Sequence, residues 1–87
     1  MQIETEAFIL GHESIHSSKT GKDFVKFSLV IEGQYCSFFT RAQEGNEFLK
    51  SKPCVEFNKS HAPTKCVVVL SLKFSDKGTF VDLKGIA

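Results

Sequence analysis

The chain has 87 residues, which fits one small domain. Its formal net charge of +1 neither requires nor excludes an anionic partner. Hydrophobic residues make up 41% of it, too many for a disordered segment, and no apolar run approaches the ~20 residues of a membrane span. Because so short a chain forms a thin core, we expect a homodimer. All lysines and arginines fall in residues 19–87, so a basic face is permitted.

The first predicted element is a strand over residues 3–10, a run of apolar and β-branched residues that bends at Gly11 and extends to about Ile15. A polar loop follows at 17–22. Residues 23–32 then alternate between apolar and polar with a period of two, which indicates a half-buried strand. The residues expected on its buried face are Val25, Phe27, Leu29 and Ile31.

A hairpin signal at Gly33-Gln34 precedes a third predicted strand, 35–41. A two-residue loop places Glu32 opposite Tyr35, whereas a three-residue loop would exchange the two faces, because a one-residue slip reverses every side chain. We favour the two-residue loop. The buried face then gains Cys36, Phe38 and Thr40, and the outer face carries Phe24, Lys26, Tyr35, Phe39 and Arg41.

The second half of the chain begins with a short predicted helix over 42–50, which Gly45 weakens. After Pro53, residues 54–57 predict a brief strand, and 58–65 predict a polar loop with room for an extra hairpin. Residues 66–74 form the strongest strand signal in the chain. A turn at Asp76-Lys77-Gly78 leads into the last predicted strand, 79–86.

This order of elements predicts an all-β fold with one short helix, formed by a single domain over residues 1–87. Three strands, a helix and two strands are the order of a five-stranded Greek-key barrel of the OB-fold type. The strand 2–3 face and flanking loops of that fold bind oligonucleotides or oligosaccharides. The aromatic residues expected in the core are Phe27, Phe38, Phe48, Phe57 and Phe74. For Phe24, Phe39 and Phe80, exposure and burial both remain open.

The sequence shows no catalytic or metal-binding pattern. Neither His12 nor His16 has a nucleophile motif beside it, and the cysteines lack the close pairing of a zinc site. We therefore expect no enzymatic activity, no cofactor and no metal. The odd number of cysteines and the lack of a signal-like segment at 1–4 predict reduced core thiols in a cytoplasmic protein. These cysteines are Cys36, Cys54 and Cys66.

Aromatic and basic residues interleaved on one face are the one pattern that carries chemistry. Single-stranded nucleic acid exposes phosphates, which lysine and arginine bind, and unstacked bases, each of which contributes ~1–3 kcal/mol when it stacks on an aromatic ring. The strand 1–2 loop and the last hairpin add further groups. The predicted nucleic-acid-binding residues are Lys19, Lys22, Phe24, Lys26, Tyr35, Phe39, Arg41, Lys73, Lys77 and Phe80.

Several segments resemble known families of single-stranded DNA-binding proteins. YCSFFTR at 35–41, a helix ending EFLK and KPCVEF at 52–57 resemble the middle of the bacterial family, and LKFSDKGTFVDLK at 72–84 is similar to its last hairpin. SKTGKDFVKFSL at 18–29 resembles the loop and strand of filamentous-phage gene V proteins. The resemblance implies an OB-fold dimer that coats single-stranded DNA without strong sequence preference. The residues alone leave single-stranded RNA open as the ligand. It also implies a role in phage or plasmid DNA replication in the cytoplasm of a bacterial host cell.

A second hypothesis is a small β-barrel that binds protein, as an adaptor or inhibitor, and has no nucleic-acid ligand. The modest net charge and the acidic first strand motivate it. The exposed aromatic residues would then form an interface patch.

Overall fold

The computed structural model describes residues 1–87 as five strands and two short helices. The elements are β1 (Gln2–His16), β2 (Asp23–Ile31), β3 (Gln34–Arg41), α1 (Ala42–Leu49), α2 (Lys52–Ser60), β4 (Thr64–Ser75) and β5 (Gly78–Ile86). Neither helix has the length and apolar character that crossing a membrane requires.

The strands form one antiparallel sheet in the order β3-β2-β1-β4-β5. The sheet curls into a half-barrel, so that its two edge strands, β3 and β5, approach each other. The predicted all-β, five-stranded OB-like fold is thus confirmed, with two helices in place of the one expected. Both helices follow β3 in the chain and pack on the sheet through β1, β2, β3 and β4.

Strand β1 runs through the centre of the sheet and pairs with β2 on one side and β4 on the other. Its pairing with β2 shifts between Ile9 and Gly11, which leaves Leu10 as an extra residue. An extra residue of this kind bends a strand and increases its twist. The bend predicted at Gly11 therefore lies at a β-bulge, and β1 continues beyond it to His16.

The turn between β2 and β3 has two residues, as predicted, but they are Glu32 and Gly33. Both have positive φ angles, 52° and 77°, as the common two-residue hairpin turns require. Tyr35 consequently lies opposite Val30 and not opposite Glu32. The partner has moved by two residues, an even number, so the predicted division into a buried and an outer face is correct.

Residues 54–57 are helical, so the predicted brief strand is wrong. Helix α2 starts after Ser51 with Pro53 in its first turn, where the missing N–H of proline costs nothing. Cys54 and Phe57, one helical turn apart, face the sheet, while Val55 and Glu56 face solvent. The helix extends to Ser60, and the long polar loop expected over 58–65 shrinks to residues 61–63.

The core lies between the concave side of the sheet and the two helices. Its fully enclosed side chains come from β1, β2, α2 and β4, and Phe27 is the largest. Phe38, Phe48 and Phe57 pack against this core as predicted. Phe74 was also expected there, but it is 69% exposed. It is on the core side of β4 yet beyond the last residue that the helices cover.

The three cysteines are free, with Cys54 and Cys66 buried and Cys36 partly buried. Burial raises the pKa of all three thiols. For Cys66 the pKa rises from the ordinary 9.0 to about 11, because burial and the neighbouring Cys54 both disfavour the thiolate. These groups are therefore protonated thiols near neutral pH and are poor nucleophiles.

The raised pKa of Cys66 predicts a loss of stability in alkali. Between about pH 9 and 11 the unfolded chain loses the Cys66 proton while the folded chain keeps it, so the free energy of unfolding falls as pH rises. Urea unfolding at pH 8, 9, 10 and 11 measures this decline. We expect a shallower decline in Cys66→Ala than in the wild type, and equal slopes would contradict the assignment.

Candidate nucleic-acid interface

The outer face of β2 and β3 carries two aromatic and two cationic side chains in a checkerboard. Phe24 lies directly opposite Arg41, and Lys26 lies directly opposite Phe39. Side chains opposite each other on neighbouring strands have Cβ atoms about 5 Å apart, and diagonal pairs such as Phe24 and Phe39 about 7–8 Å apart. Each ring therefore has a cation beside it, and the two rings are close enough to take bases of one strand.

The rings of Phe39 and Phe24 differ in their exposure to solvent. Phe39 is 63% exposed, so its ring is accessible to a stacking base. Phe24 and Lys26 are half-buried, whereas Arg41 is exposed.

Arg41 is also the residue before α1, where its side chain makes no capping hydrogen bond. The strand–helix junction thus fixes the backbone of Arg41, and its guanidinium has no hydrogen bond within the chain that would compete with a phosphate.

A groove of about 470 Å³ lies along the seam between β3 and β5 and passes this checkerboard. Phe24, Phe39 and Arg41 line one side of it, and Lys73 and Lys84 line the other. The curl of the sheet brings these two edges together. Three residues predicted from strands 2 and 3 and one predicted from the last hairpin therefore meet at one site.

Lys84 is a basic residue of the groove that the sequence prediction left out. The alternation of β5 does place it on the same face as Phe80 and Asp82, which was the available signal. What the sequence does not show is that β5 closes against β3, so that Lys84 lines the same groove as Arg41.

Two carboxylates also line the groove, those of Glu44 and Asp82. Glu44 lies in the first turn of α1, where a negative charge stabilises the helix dipole. The cations of the lining, Arg41, Lys73 and Lys84, outnumber these carboxylates by one. The groove is therefore only moderately positive, and cations beside it must contribute if a polyanion binds there.

The loop between β1 and β2 supplies such cations at one end of the groove. It spans residues 17–22 as predicted and is closed by a hydrogen bond from the Ser17 N–H to the Lys22 carbonyl, 2.9 Å. Lys22 borders a depression of about 300 Å³ that also includes Phe24 and Arg41. Lys19 lies exposed in the same loop. A trough thus leads from this loop across Phe24 and Arg41 to Lys84.

The last hairpin places its predicted residues less uniformly. Lys73 and Phe80 lie opposite each other on the outer face, and Phe80 is 53% exposed. Lys73 reaches the groove. Lys77 lies in the two-residue turn at the tip, exposed and outside the groove lining.

Tyr35 is 62% exposed on the same outer face, but its surroundings differ from those of Phe39. It lies four residues from Phe39 along β3, about 13 Å at the rise of a strand, and its hydroxyl donates a hydrogen bond to Ser28 Oγ, 3.2 Å. Its cross-strand neighbour Val30 borders a cleft of about 490 Å³ whose charged lining residues are all acidic, namely Glu4, Glu6 and Glu32. Lys65 Nζ lies 3.5 Å from Glu6 Oε1, but the carboxylates still outnumber this one cation, so this end of the face disfavours phosphate.

The structure contains no group of three or more histidine, cysteine, aspartate or glutamate residues arranged to hold a metal ion. Its histidines have structural contacts: His12 Nε2 lies 2.6 Å from Asn58 Oδ1, and His16 Nδ1 lies 2.6 Å from Asp23 Oδ1. Comparison with protein-family models, curated proteins and solved structures finds no match to this chain.

Proposed function

We propose that the protein binds single-stranded DNA without strong sequence preference, through base stacking on Phe39 and Phe24 and phosphate contacts from the surrounding lysines and Arg41. The supporting observation is the groove between β3 and β5, where an exposed aromatic ring and basic groups from three strands converge. Stacking suits any base because every base has a π-face, and the cations follow the backbone irrespective of sequence.

A strand bound at this groove has a defined course. Its phosphates pass from Lys22 in the β1–β2 loop, past Arg41, to Lys84 and Lys73, away from the acidic cleft near Tyr35. Phe39 and Phe24 are the principal stacking groups on that course. Binding of this type serves to coat single-stranded DNA during replication of a phage or plasmid in the bacterial cytoplasm.

Titration of labelled oligo-dT at two salt concentrations, followed by fluorescence anisotropy, tests the proposal. We expect micromolar or tighter binding at low salt. For a single strand the logarithm of the affinity falls against the logarithm of salt concentration with a slope of about −0.7 per neutralised phosphate. Duplex DNA of the same length should bind more weakly, because its bases are not free to stack. A parallel titration with oligo-U measures the preference between DNA and RNA.

Folded protein that produces no anisotropy change with oligo-dT at low salt would overturn the proposal. A salt-insensitive complex with another protein would then favour the alternative of a protein-binding adaptor or inhibitor, in which the exposed aromatic residues form the interface.

Lys84→Ala should reduce the salt dependence of binding. Loss of one phosphate contact makes the slope shallower by about 0.7 and weakens binding at low salt, with little dependence on the oligonucleotide sequence. Lys59→Ala is the matched control, since Lys59 is an exposed lysine on α2 outside the groove. An unchanged slope for Lys84→Ala would remove this residue from the site.

A further inference from the structure

A hydrogen-bonded pair of side chains lies at the base of the β1–β2 loop. His16 is the last residue of β1 and Asp23 is the first residue of β2, and the two lie directly opposite each other. His16 Nδ1 is 2.6 Å from Asp23 Oδ1. The loop between them is closed by hydrogen bonds from the Ser17 N–H to the Lys22 carbonyl, 2.9 Å, and from the Gly21 N–H to the Ser17 carbonyl, 2.8 Å. The pair therefore lies on a hydrogen-bonded stem at the loop end of the trough.

The same pair borders the proposed DNA-binding surface. Asp23 lines the depression of about 300 Å³ that also includes Lys22, Phe24 and Arg41. Together with His16 it also lines an adjoining cleft of about 270 Å³ between the ends of β1 and β2 and helix α1. The His16 side chain is 66% exposed and the Asp23 side chain is 67% exposed. A DNA backbone that passes Lys22 and Arg41 therefore passes beside this pair.

The hydrogen bond to Asp23 determines which ring nitrogen of His16 is free. An ionised carboxylate only accepts hydrogen bonds, so Nδ1 is the donor and carries the proton. In the neutral imidazole Nε2 is then an acceptor, and it has no hydrogen bond within the chain. A phosphate oxygen is also an acceptor and cannot bond to this atom. Protonation of Nε2 removes this obstacle, because it supplies an N–H donor on a cationic ring.

The cleft beside His16 holds one other ionisable residue, Asp23. The remaining lining residues come from β1, β2 and α1 and are uncharged, namely Ser14, Ile15, Phe24, Val25, Ala42 and Asn46. Glu13 of β1 lies three positions before His16 and therefore on the opposite face of the sheet, where it pairs with Lys26. Within the cleft, the charge next to the imidazole is thus that of the Asp23 carboxylate alone.

The cations near His16 lie on the side where the DNA passes. Lys22 and Arg41 line the depression together with Asp23, and Lys19 lies exposed in the loop. The groups that line the depression and the cleft therefore have a net charge of +1 when His16 is neutral and +2 when it is protonated. Histidine is the side chain that ordinarily changes its charge between pH 5 and 8. A small fall in pH thus doubles the positive charge at this end of the trough.

We propose that His16 is a proton-dependent phosphate contact of the DNA site. With Nδ1 held by Asp23, the protonated ring donates from Nε2 to the DNA backbone beside Lys22, and binding of single-stranded DNA is coupled to the uptake of one proton. This contact rests on the proposed DNA binding and adds to it a means of regulation. By linkage, DNA and the proton each strengthen the binding of the other, so affinity rises as pH falls.

Titration of labelled oligo-dT at about pH 7.5 and pH 5.5 tests this contact. Neither thymine nor the phosphodiester titrates in this range, so a proton taken up on binding goes to the protein. For the wild type at about 50 mM salt we expect roughly 5- to 10-fold higher affinity at the lower pH, and a salt slope steeper by about 0.7, as for one further phosphate contact. His16→Gln should remove both differences.

His61→Asn is the matched control for His16→Gln. His61 is exposed and lines neither the depression nor the cleft, and asparagine tolerates its φ of 54°. This variant should keep the pH dependence of the wild type. Circular dichroism at both pH values establishes that each protein is folded.

Equal affinity and equal salt slope of the wild type at the two pH values would overturn the His16 contact and leave the proposed DNA binding intact. A His16→Gln variant that retains the pH dependence of the wild type, whether or not its affinity is lower, would reduce His16 to a structural role. Equal loss of the pH dependence in His61→Asn would assign the effect to the charge of the whole protein. Absence of binding at both pH values would instead overturn the DNA binding itself.

Discussion

Replacing Phe39 by alanine is expected to weaken the binding of oligo-dT by roughly 5- to 150-fold at low salt, since one stacked base contributes ~1–3 kcal/mol. Phe39 is the most exposed aromatic ring at the groove and lies between Lys26 and the lining of β5. Its side chain is 63% exposed, so its removal costs the fold little. The loss should appear in affinity and leave the unfolding temperature nearly unchanged.

Two other outer-face aromatic residues provide controls for Phe39→Ala. Tyr35→Ala should weaken binding less, because Tyr35 lies near the acidic cleft that keeps phosphates away. Phe8→Ala should leave affinity unchanged, since Phe8 lines that cleft on β1 and is 46% exposed. Anisotropy titrations of the three variants against one oligo-dT rank these positions.

Equal losses in all three variants would indicate a diffuse contact with the whole outer face. A Phe39→Ala variant that binds as tightly as the wild type would remove base stacking at the groove. If Tyr35→Ala or Phe39→Ala unfolds the protein, the ring concerned is structural, in conflict with its exposure.

The faces of β2 and β3 could be predicted because a period of two needs only the sequence. The position of the turn between these strands could not be predicted, since the hairpin signal at Gly33 fits a two-residue loop that starts at Glu32 or at Gly33. The positive φ of Glu32 decides it, and most residues other than glycine avoid that conformation. The error left the faces intact only because the partner shifted by an even number of residues.

Helix α2 was missed for a different reason. Four residues, 54–57, are too few to distinguish a period of 2 from one of 3.6. The start signal was present, a serine two residues before Pro53, but the apolar run outweighed it. Phe74 shows a further limit. Alternation assigned its side of the sheet correctly, whereas its burial depends on whether the helices extend far enough to cover it, which no local pattern contains.

Prediction of the whole groove also required a long-range feature that no local sequence pattern contains. Alternation placed Phe24, Phe39 and Arg41 on one face, although the predicted register put Arg41 opposite Lys26 and not opposite Phe24. Their meeting with Lys73 and Lys84 required the curl that brings β5 to β3, and that curl arises from packing of the whole core. The sequence therefore predicted the residues on one side of the groove but not their pairing, and it predicted the other side only in part.

Gly45→Ala is expected to destabilise the protein, opposite to what helix propensity predicts. Gly45 is the buried residue of α1. A Cβ atom there would lie 2.6 Å from Thr40 Oγ1 and 2.6 Å from Val25 Cβ. Alanine in place of glycine in a helix gains about 1 kcal/mol in propensity, whereas overpacking of a core typically costs about 1–3 kcal/mol and occasionally more.

Overpacking should prevail at Gly45 because neither neighbour can yield easily. Val25 is 2% exposed in the centre of β2, and its Cβ is fixed to the backbone. Thr40 is 5% exposed, and its hydroxyl donates a hydrogen bond to the Val25 carbonyl, 3.1 Å. To admit a methyl group, α1 must move away from the sheet, which breaks the packing of Phe48 on Phe27.

Urea and thermal unfolding measure the effect of Gly45→Ala, with Asn46→Ala as the matched control. Asn46 is exposed on the same helix, so alanine there should be neutral or slightly stabilising. Because the added Cβ would lie within 2.7 Å of three atoms, the overpacking cost should fall in the upper part of its range. We then expect a net loss of about 1–2 kcal/mol for Gly45→Ala, or a fall of about 4–16 °C in unfolding temperature for a domain of this size, and a larger loss for Gly45→Val. Because Arg41 immediately precedes α1, displacement of the helix should also weaken oligo-dT binding. A Gly45→Ala variant as stable as Asn46→Ala would show that α1 does not approach β2 this closely.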